Sequence, residues 1–133
     1  MNRKAVVIRE SRDGKRRIAV DSENAEELLN FFQKNKRYRK KFDHICELIL
    51  GGHKNRELYD KEEPNGCCKG VRAMKFFKGQ ENARVYCKEL VLEDHDCIIV
   101  AAEILTRKKQ TKLSYKEINL IERVASYEYS EIQ

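Results

Sequence analysis

Side chains suited to work on a phosphate are concentrated in two short stretches of this chain. Lys34-Asn35-Lys36-Arg37-Tyr38-Arg39-Lys40-Lys41 carries six basic residues in eight, and Arg107-Lys108-Lys109-Gln110-Thr111-Lys112 carries four in six. Each phosphate neutralised by such a cluster releases condensed counterions, so the clusters suit a polyanion, although they also suit a solvated helix end. The surplus is uneven. Residues 1–79 hold 20 basic and 12 acidic side chains, whereas residues 80–133 hold 8 and 10, and the whole chain carries +6. Of the three histidines, His44 lies beside an apolar helical stripe and His95 in an acidic turn; His53 shares a loop with Lys54 and Arg56 and is the most interesting. The five cysteines (Cys46, Cys67, Cys68, Cys87 and Cys97) are odd in number and form no C-x-x-C pair, and no histidine lies at finger spacing. They read as reduced thiols rather than a metal site. No P-loop, G-x-S-x-G elbow or dinucleotide fingerprint is present, and no carboxylates stand out as an acid/base pair.

The elements that must carry these residues follow from the apolar pattern. A chain of 133 residues that is 41% hydrophobic and 38% charged fits one domain over 1–133, able to bury about two-thirds of its unfolded surface. No apolar run approaches the roughly 20 residues of a membrane span, and the start is too short in apolar residues for a signal peptide, so a cytoplasmic protein is expected. The β-branched runs Lys4–Ile8 and Ile18–Val20 flank Asp13-Gly14, a hairpin signal, giving an N-terminal hairpin over 1–20. Asp21-Ser22-Glu23-Asn24 is rich in N-cap formers, and Ala25, Leu28, Leu29 and Phe32 then mark one helical face. Tyr38, Phe42, Ile45 and Ile49 mark a second helix from about Lys36, ended by Gly51-Gly52. Residues 53–70 are polar, with a strand-like piece only at Arg56–Tyr59. Val71–Phe77, Ala83–Leu92 and Cys97–Leu105 read as an antiparallel meander turning at Gly79 and at 93–96, and the last run is apolar enough for a central strand. Ser114-Tyr115-Lys116-Glu117 is a capping box, with Leu113 and Ile118 as its staple, and Ile118, Ile121, Val124 and Ala125 as the buried face of a final helix. The fold class is therefore α+β: two N-terminal helices packed on a small antiparallel sheet, with an extra N-terminal hairpin and a C-terminal helix.

The simplest register across the Gly79 turn pairs Phe76 with Arg84, Met74 with Tyr86 and Arg72 with Lys88. Alternation then puts Arg72, Arg84, Tyr86 and Lys88 on one face. Cations that hold phosphates and a ring that stacks a base suit RNA. Arg107, Lys108, Lys109 and Tyr115 are expected to rim the same groove.

From about Ala25 to Tyr129 the chain resembles the RelE/ParE-type toxins of bacterial toxin–antitoxin pairs, including the RelE and HigB branches. Gly70-Val71-Arg72 resembles the family's G-[YV]-R strand start. Lys108-Lys109-Gln110-Thr111-Lys112-Leu113-Ser114-Tyr115 resembles its basic run, short spacer and helix-borne tyrosine. The resemblance implies a ribosome-dependent mRNA endoribonuclease neutralised by a cognate antitoxin protein, with no metal or other cofactor. Arg72 would hold the scissile phosphate. Lys109 would stabilise the transition state or protonate the leaving oxygen, and Tyr115 would stack on a base or orient the 2′-OH. Lys54 and Arg56 fall near the family's basic loop, and Lys108 and Lys112 extend its basic run. RNA supplies its own nucleophile, so fixed cations around the phosphorane charge suffice for much of the acceleration, each worth roughly 3–4 kcal/mol. The general base is not evident: lysine and tyrosine have ordinary pKa values near 10. The chain departs from the pattern in its N-terminal hairpin, in Glu57-Leu58-Tyr59 ending in tyrosine where many relatives carry arginine, and in its acidic loop 60–66. A ParE-like gyrase inhibitor and a non-catalytic RelE-like nucleic-acid-binding module are the alternatives.

Overall fold

The centre of the molecule is set by the apolar run from Cys97 to Ala102, every residue of which is buried. Alternation sends Cys97, Ile99 and Ala101 into one core and Ile98, Val100 and Ala102 towards the opposite face, so this strand needs cover on both sides. The computed structural model describes residues 2–77, 82–106 and 114–133. Its elements are β1 (Asn2–Glu10), β2 (Arg16–Asp21), α1 (Ala25–Phe32), α2 (Lys36–Leu50), β3 (Tyr59–Lys61), a 3₁₀ turn (Gly66–Cys68), β4 (Val71–Phe76), β5 (Ala83–Val91), β6 (Cys97–Leu105), α3 (Tyr115–Ser126) and β7 (Glu128–Ile132).

The α+β class is as expected. The sheet is not the small antiparallel one: seven strands form one mixed sheet in the order β3-β4-β5-β6-β2-β1-β7. The N-terminal hairpin is no appendage. β2 pairs in parallel with β6, from Arg16↔Cys97 to Val20↔Ala101. β7, which the sequence pattern does not suggest, pairs in parallel with β1. The antiparallel meander β4-β5-β6 is present, with β6 fourth of the seven strands.

Helices α1 and α2 cover one face. Leu28 and Phe32 from α1, and Tyr38, Phe42, Ile45 and Ile49 from α2, pack on Ile18, Val20, Met74, Phe76, Val85 and Ile99. The Phe32 and Phe42 rings stack at 3.8 Å. Helix α3 covers the other face with Ile121 and Val124 against Val71, Ala73, Tyr86 and Ala102. No helix among the described residues is long and apolar enough to cross a membrane.

Local signals act as expected with two exceptions. Gly52 takes φ +72° after α2, and the bonds Gly52 N–H to Ile49 O and His53 N–H to Leu48 O close a Schellman motif, a conformation glycine adopts without a Cβ penalty. Ser114 Oγ accepts from the Glu117 N–H at 3.3 Å, starting α3 as the capping box predicts. Asn24 precedes α1 but makes no side-chain cap; its amide instead reaches Ala102 O and Glu103 on β6. The strand expected at 56–59 begins only at Tyr59. The Asn55 carbonyl accepts from Leu58 and Tyr59, and its side chain accepts from the Glu57 N–H, which folds 55–58 into a turn. The turn at Gly79 and the Leu113 staple lie outside the described residues.

A buried polar network joins the two ends of the chain. The Asp21 carboxylate is fully buried and accepts from Arg3 Nε at 2.6 Å, Arg3 Nη2 at 3.1 Å, the Tyr129 hydroxyl at 2.7 Å and the Glu23 N–H at 2.9 Å. Arg3 also lies 3.9 Å over the Tyr127 ring, whose hydroxyl donates to Glu103.

Candidate functional site

The register between β4 and β5 decides which candidate residues can act together. The pairs are Val71↔Lys88, Arg72↔Cys87, Ala73↔Tyr86, Met74↔Val85, Lys75↔Arg84 and Phe76↔Ala83. This is one residue away from the register read from sequence, and with a side-chain period of two, one residue reverses the face. Arg72 therefore sits on the α1/α2 side with Met74, Val85 and Cys87, while Arg84, Tyr86 and Lys88 sit on the α3 side. The proposed four-residue face is corrected accordingly.

On the α3 side the candidates are structural in their surroundings. Tyr86 is fully buried, and burial, then the charges of Glu62 and Glu117, hold its phenol well above the ordinary range. Arg84 is 7% exposed, and its Nε and Nη1 have no hydrogen-bond partner among the described residues. Lys88 Nζ donates to the carbonyls of Ala125 and Tyr127, at the end of α3. A cation there meets the negative end of the helix dipole. Burial lowers the Lys88 pKa. Tyr115, in the first turn of α3, is 88% exposed. Lys108, Lys109 and Lys112 lie outside the described residues.

On the α2 side the structure brings together Arg72, Lys54 and Arg56. They line one cleft of about 360 Å³ with Arg16, Ile49, Gly52, His53, Asn55, Tyr59, Asp60, Lys61, Glu89 and Ile99. Five cationic side chains thus face two carboxylates. Each wall has a local cause. The Schellman turn at Gly52 swings His53 and Lys54 off the end of α2, and the Asn55 turn presents Arg56. Arg16 arrives by the parallel β2–β6 pairing, and its Nη1 donates to Ile49 O at 3.2 Å, on the last carbonyls of α2. Gly70, at φ +91°, turns the chain into β4 two residues before Arg72.

Arg72 is the best-oriented group in the cleft. Its Nε meets Glu89 Oε2 at 3.0 Å and its Nη1 meets Glu63 Oε2 at 2.7 Å. Burial works to lower its pKa, but the Glu63 hydrogen bond and the nearby charges of Glu89, Tyr59 and Glu63 outweigh it, and the net shift is upward. Glu89 is held in turn by the Tyr59 hydroxyl and by Cys97 Sγ, each at 3.5 Å. Burial raises the Tyr59 pKa well above its ordinary value, followed by the influence of Cys87 and Glu89. Tyr59 is therefore a hydrogen-bond donor near neutral pH and not a base. His53 is the imidazole of the cleft, the side-chain type most used for general acid–base work.

No known protein family, curated protein or solved structure matches this chain. The cleft must be interpreted from its own chemistry. Arg16, Lys61, Glu63 and Glu89 are the residues that sequence reasoning missed. Arg16 was hidden because nothing local announces a parallel partner for β2. Tyr59 was visible as a departure from the family pattern, without a role. No cluster of three or more histidine, cysteine or acidic side chains suited to a metal occurs among the described residues.

Proposed function

We propose that this chain is a toxin of the RelE/ParE type, of the RelE and HigB kind, that binds mRNA in the cleft beside the end of α2 and cuts it on the ribosome. The observation that carries this reading is the meeting of Lys54, Arg56 and Lys61 from one segment with Arg72 and Arg16 from two others around one groove. The order of a strand, two helices and an antiparallel meander is in keeping with a RelE-like arrangement. In this reading Lys54, Arg56 and Arg16 hold phosphates on either side of the scissile one. The 2′-OH attacks the adjacent phosphorus, the 5′-oxygen leaves, and a 2′,3′-cyclic phosphate remains. Arg72, pre-oriented by Glu89, neutralises charge on the non-bridging oxygens, worth about 10²–10³ in rate. His53 moves a proton at the 2′-oxygen or the leaving 5′-oxygen. Lys109 keeps the leaving-oxygen role that the resemblance gives it. Tyr115, exposed on the α3 side of the sheet, stacks a base outside the cleft. Its separation from Arg72 also favours a second reading, a non-catalytic nucleic-acid-binding module.

Induced expression followed by mapping of mRNA 5′ ends tests the proposal. Codon-phased cleavage that falls at least about 100-fold with Arg72→Ala is expected. Undiminished cleavage by that variant refutes the site. RNA binding without any cleavage supports the module, and double-strand DNA breaks with intact mRNA support gyrase poisoning.

A further inference from the structure

The Glu63 carboxylate is held by the same kinds of donor as Asp21 Oδ1, a guanidinium N–H and a backbone N–H, but Asp21 is fully buried and Glu63 is partly open to solvent. Glu63 Oε2 accepts from Arg72 Nη1 at 2.7 Å and from the Gly70 N–H at 3.2 Å. A guanidinium N–H and a backbone N–H converging on one anionic oxygen is the donor set that a phosphate oxygen takes in many sites. We infer that the Gly70 N–H and Arg72 Nη1 form an oxyanion seat in which Glu63 is an internal stand-in, and that an RNA phosphodiester enters the cleft by displacing it. This rests on the reading of the cleft as an RNA site and adds how that site is opened.

Three observations separate Glu63 from an ordinary structural carboxylate. First, Arg72 does not depend on it for orientation. Glu89, within β5 and itself held by Tyr59 and Cys97, fixes Nε from the sheet, so the Nη edge can exchange partners while the guanidinium stays aimed. Among the described residues Nη2 makes no hydrogen bond, so the fork that would grip a phosphate at two points is half filled. Second, Glu63 can leave without unfolding its loop. The Glu62 N–H bonds Val71 O at 3.0 Å on one side, and Asn65 caps the 3₁₀ turn through the Cys67 N–H at 2.9 Å on the other. Pro64 restricts the backbone of Glu63 itself. A side-chain rotation is all that release requires, and the side chain is already 28% exposed. Third, the seat depends on an unusual backbone. Gly70 at φ +91° aims its N–H at the same point as Arg72, and its carbonyl accepts from the Glu89 N–H at 2.9 Å. The seat is thus built from the same strand pair that orients the guanidinium.

The test measures the affinity of a short, non-cleavable 2′-O-methyl RNA by fluorescence anisotropy at one salt concentration. Removing the competing carboxylate in Glu63→Gln should tighten binding about three- to ten-fold, in the range of a partly exposed ion pair. Arg72→Ala should weaken it, and Glu63→Gln should then have no further effect in the Arg72→Ala background. Glu62→Gln removes the same charge one residue away and should act weakly and equally in both backgrounds. Glu63→Ala, with circular dichroism to show folding, repeats the test without an amide in the seat. If Arg72→Ala weakens binding but neither Glu63 variant tightens it, the seat is wrong and the cleft reading stands. A gain from Glu63→Gln that survives Arg72→Ala, or that Glu62→Gln reproduces, also overturns the seat. If Arg72→Ala leaves binding unchanged, both the seat and the cleft reading fall.

Discussion

Asp21→Asn is the substitution whose cost can be worked most fully from the structure. The wild-type carboxylate takes four hydrogen bonds, two on each oxygen: Arg3 Nη2 and the Glu23 N–H on Oδ1, Arg3 Nε and the Tyr129 hydroxyl on Oδ2. Asparagine keeps the shape but turns one oxygen into an NH₂ group. Whichever way the amide lies, two of the four donors face another donor. Arg3, 8% exposed, keeps only Glu23 at 3.1 Å as a counter-charge, and Glu23 is 61% exposed. Breaking a buried pair by removing one partner costs about 3–5 kcal/mol. At about 2.1 cal/mol/K per residue, the unfolding entropy of 133 residues is about 0.28 kcal/mol/K, so Tm should fall by about 11–18 °C. Calorimetry or circular-dichroism melts measure this directly. Asp13→Asn, in the exposed β1–β2 turn, keeps an oxygen for the Ser11 and Lys15 donors and is the control for loss of an exposed, hydrogen-bonded carboxylate. Hydrogen exchange should report faster opening of β7 than of β5 or β6, because Tyr129 is the β7 residue bound to Asp21. A loss below about 1 kcal/mol, or a melt indistinguishable from that of Asp13→Asn, would refute the claim that this network holds β7 to the sheet.

Lys88→Met should cost about 1.5–3 kcal/mol in urea unfolding, since two carbonyls at the end of α3 lose a charged donor, while leaving affinity for RNA unchanged; a selective loss of RNA binding would return Lys88 to the nucleic-acid surface. Stability should also fall at both ends of the pH scale. Asp13 and Glu63 have pKa values held below the ordinary carboxylate range, chiefly by the Ser11 hydroxyl and the Gly70 N–H respectively. Their contributions are present above about pH 4 and lost as pH falls through the depressed values, so Glu63→Gln should flatten the acid limb of a urea-midpoint profile. Burial pushes Cys97 up to about 11, and Cys46 and Tyr127 up to about 12. Their contributions are complete below the unfolded values and decline from about pH 9 upward; a profile flat to pH 11 would contradict their burial.

What could be read from the sequence was local. The α2 stripe, the glycine stop after it, the Ser114 cap and the apolar run of β6 each depend on neighbours within a few residues, and each is found in the structure. The meander was legible because its strands are consecutive. Its register was not. A turn one residue different in length carries Arg72 to the opposite face from Tyr86 and Lys88, and nothing in the strands themselves sets that length. The parallel pairings were hidden for another reason. β7 reads Glu128-Tyr129-Ser130-Glu131-Ile132, too polar to announce a strand, and its place depends on Asp21 far away in the chain. Of the candidate site, Arg72 was marked both as a strand cation and by the resemblance, and Lys54 and Arg56 by the polar loop they share with His53. Arg16 and Glu89 could be found only once the sheet order was known.

The same sheet order has a consequence for synthesis. The β1–β2 hairpin is made before its neighbours in the sheet: the β2 edge meets its partner only when Cys97–Leu105 has been made, and the β1 edge only with Glu128–Ile132. At about 5–20 residues per second, the nascent hairpin waits several seconds with both edges open. The arginines and lysines along it, Arg3, Lys4, Arg9, Arg16 and Arg17, discourage those edges from pairing with other chains in the interval. Arg16 joins Arg72 only after β6 has bridged β5 and β2, so the cationic cleft is assembled late, through contacts of long sequence separation. From Asp21 until Leu105, a ribosome making this protein therefore carries it in a form that does not yet possess its own groove.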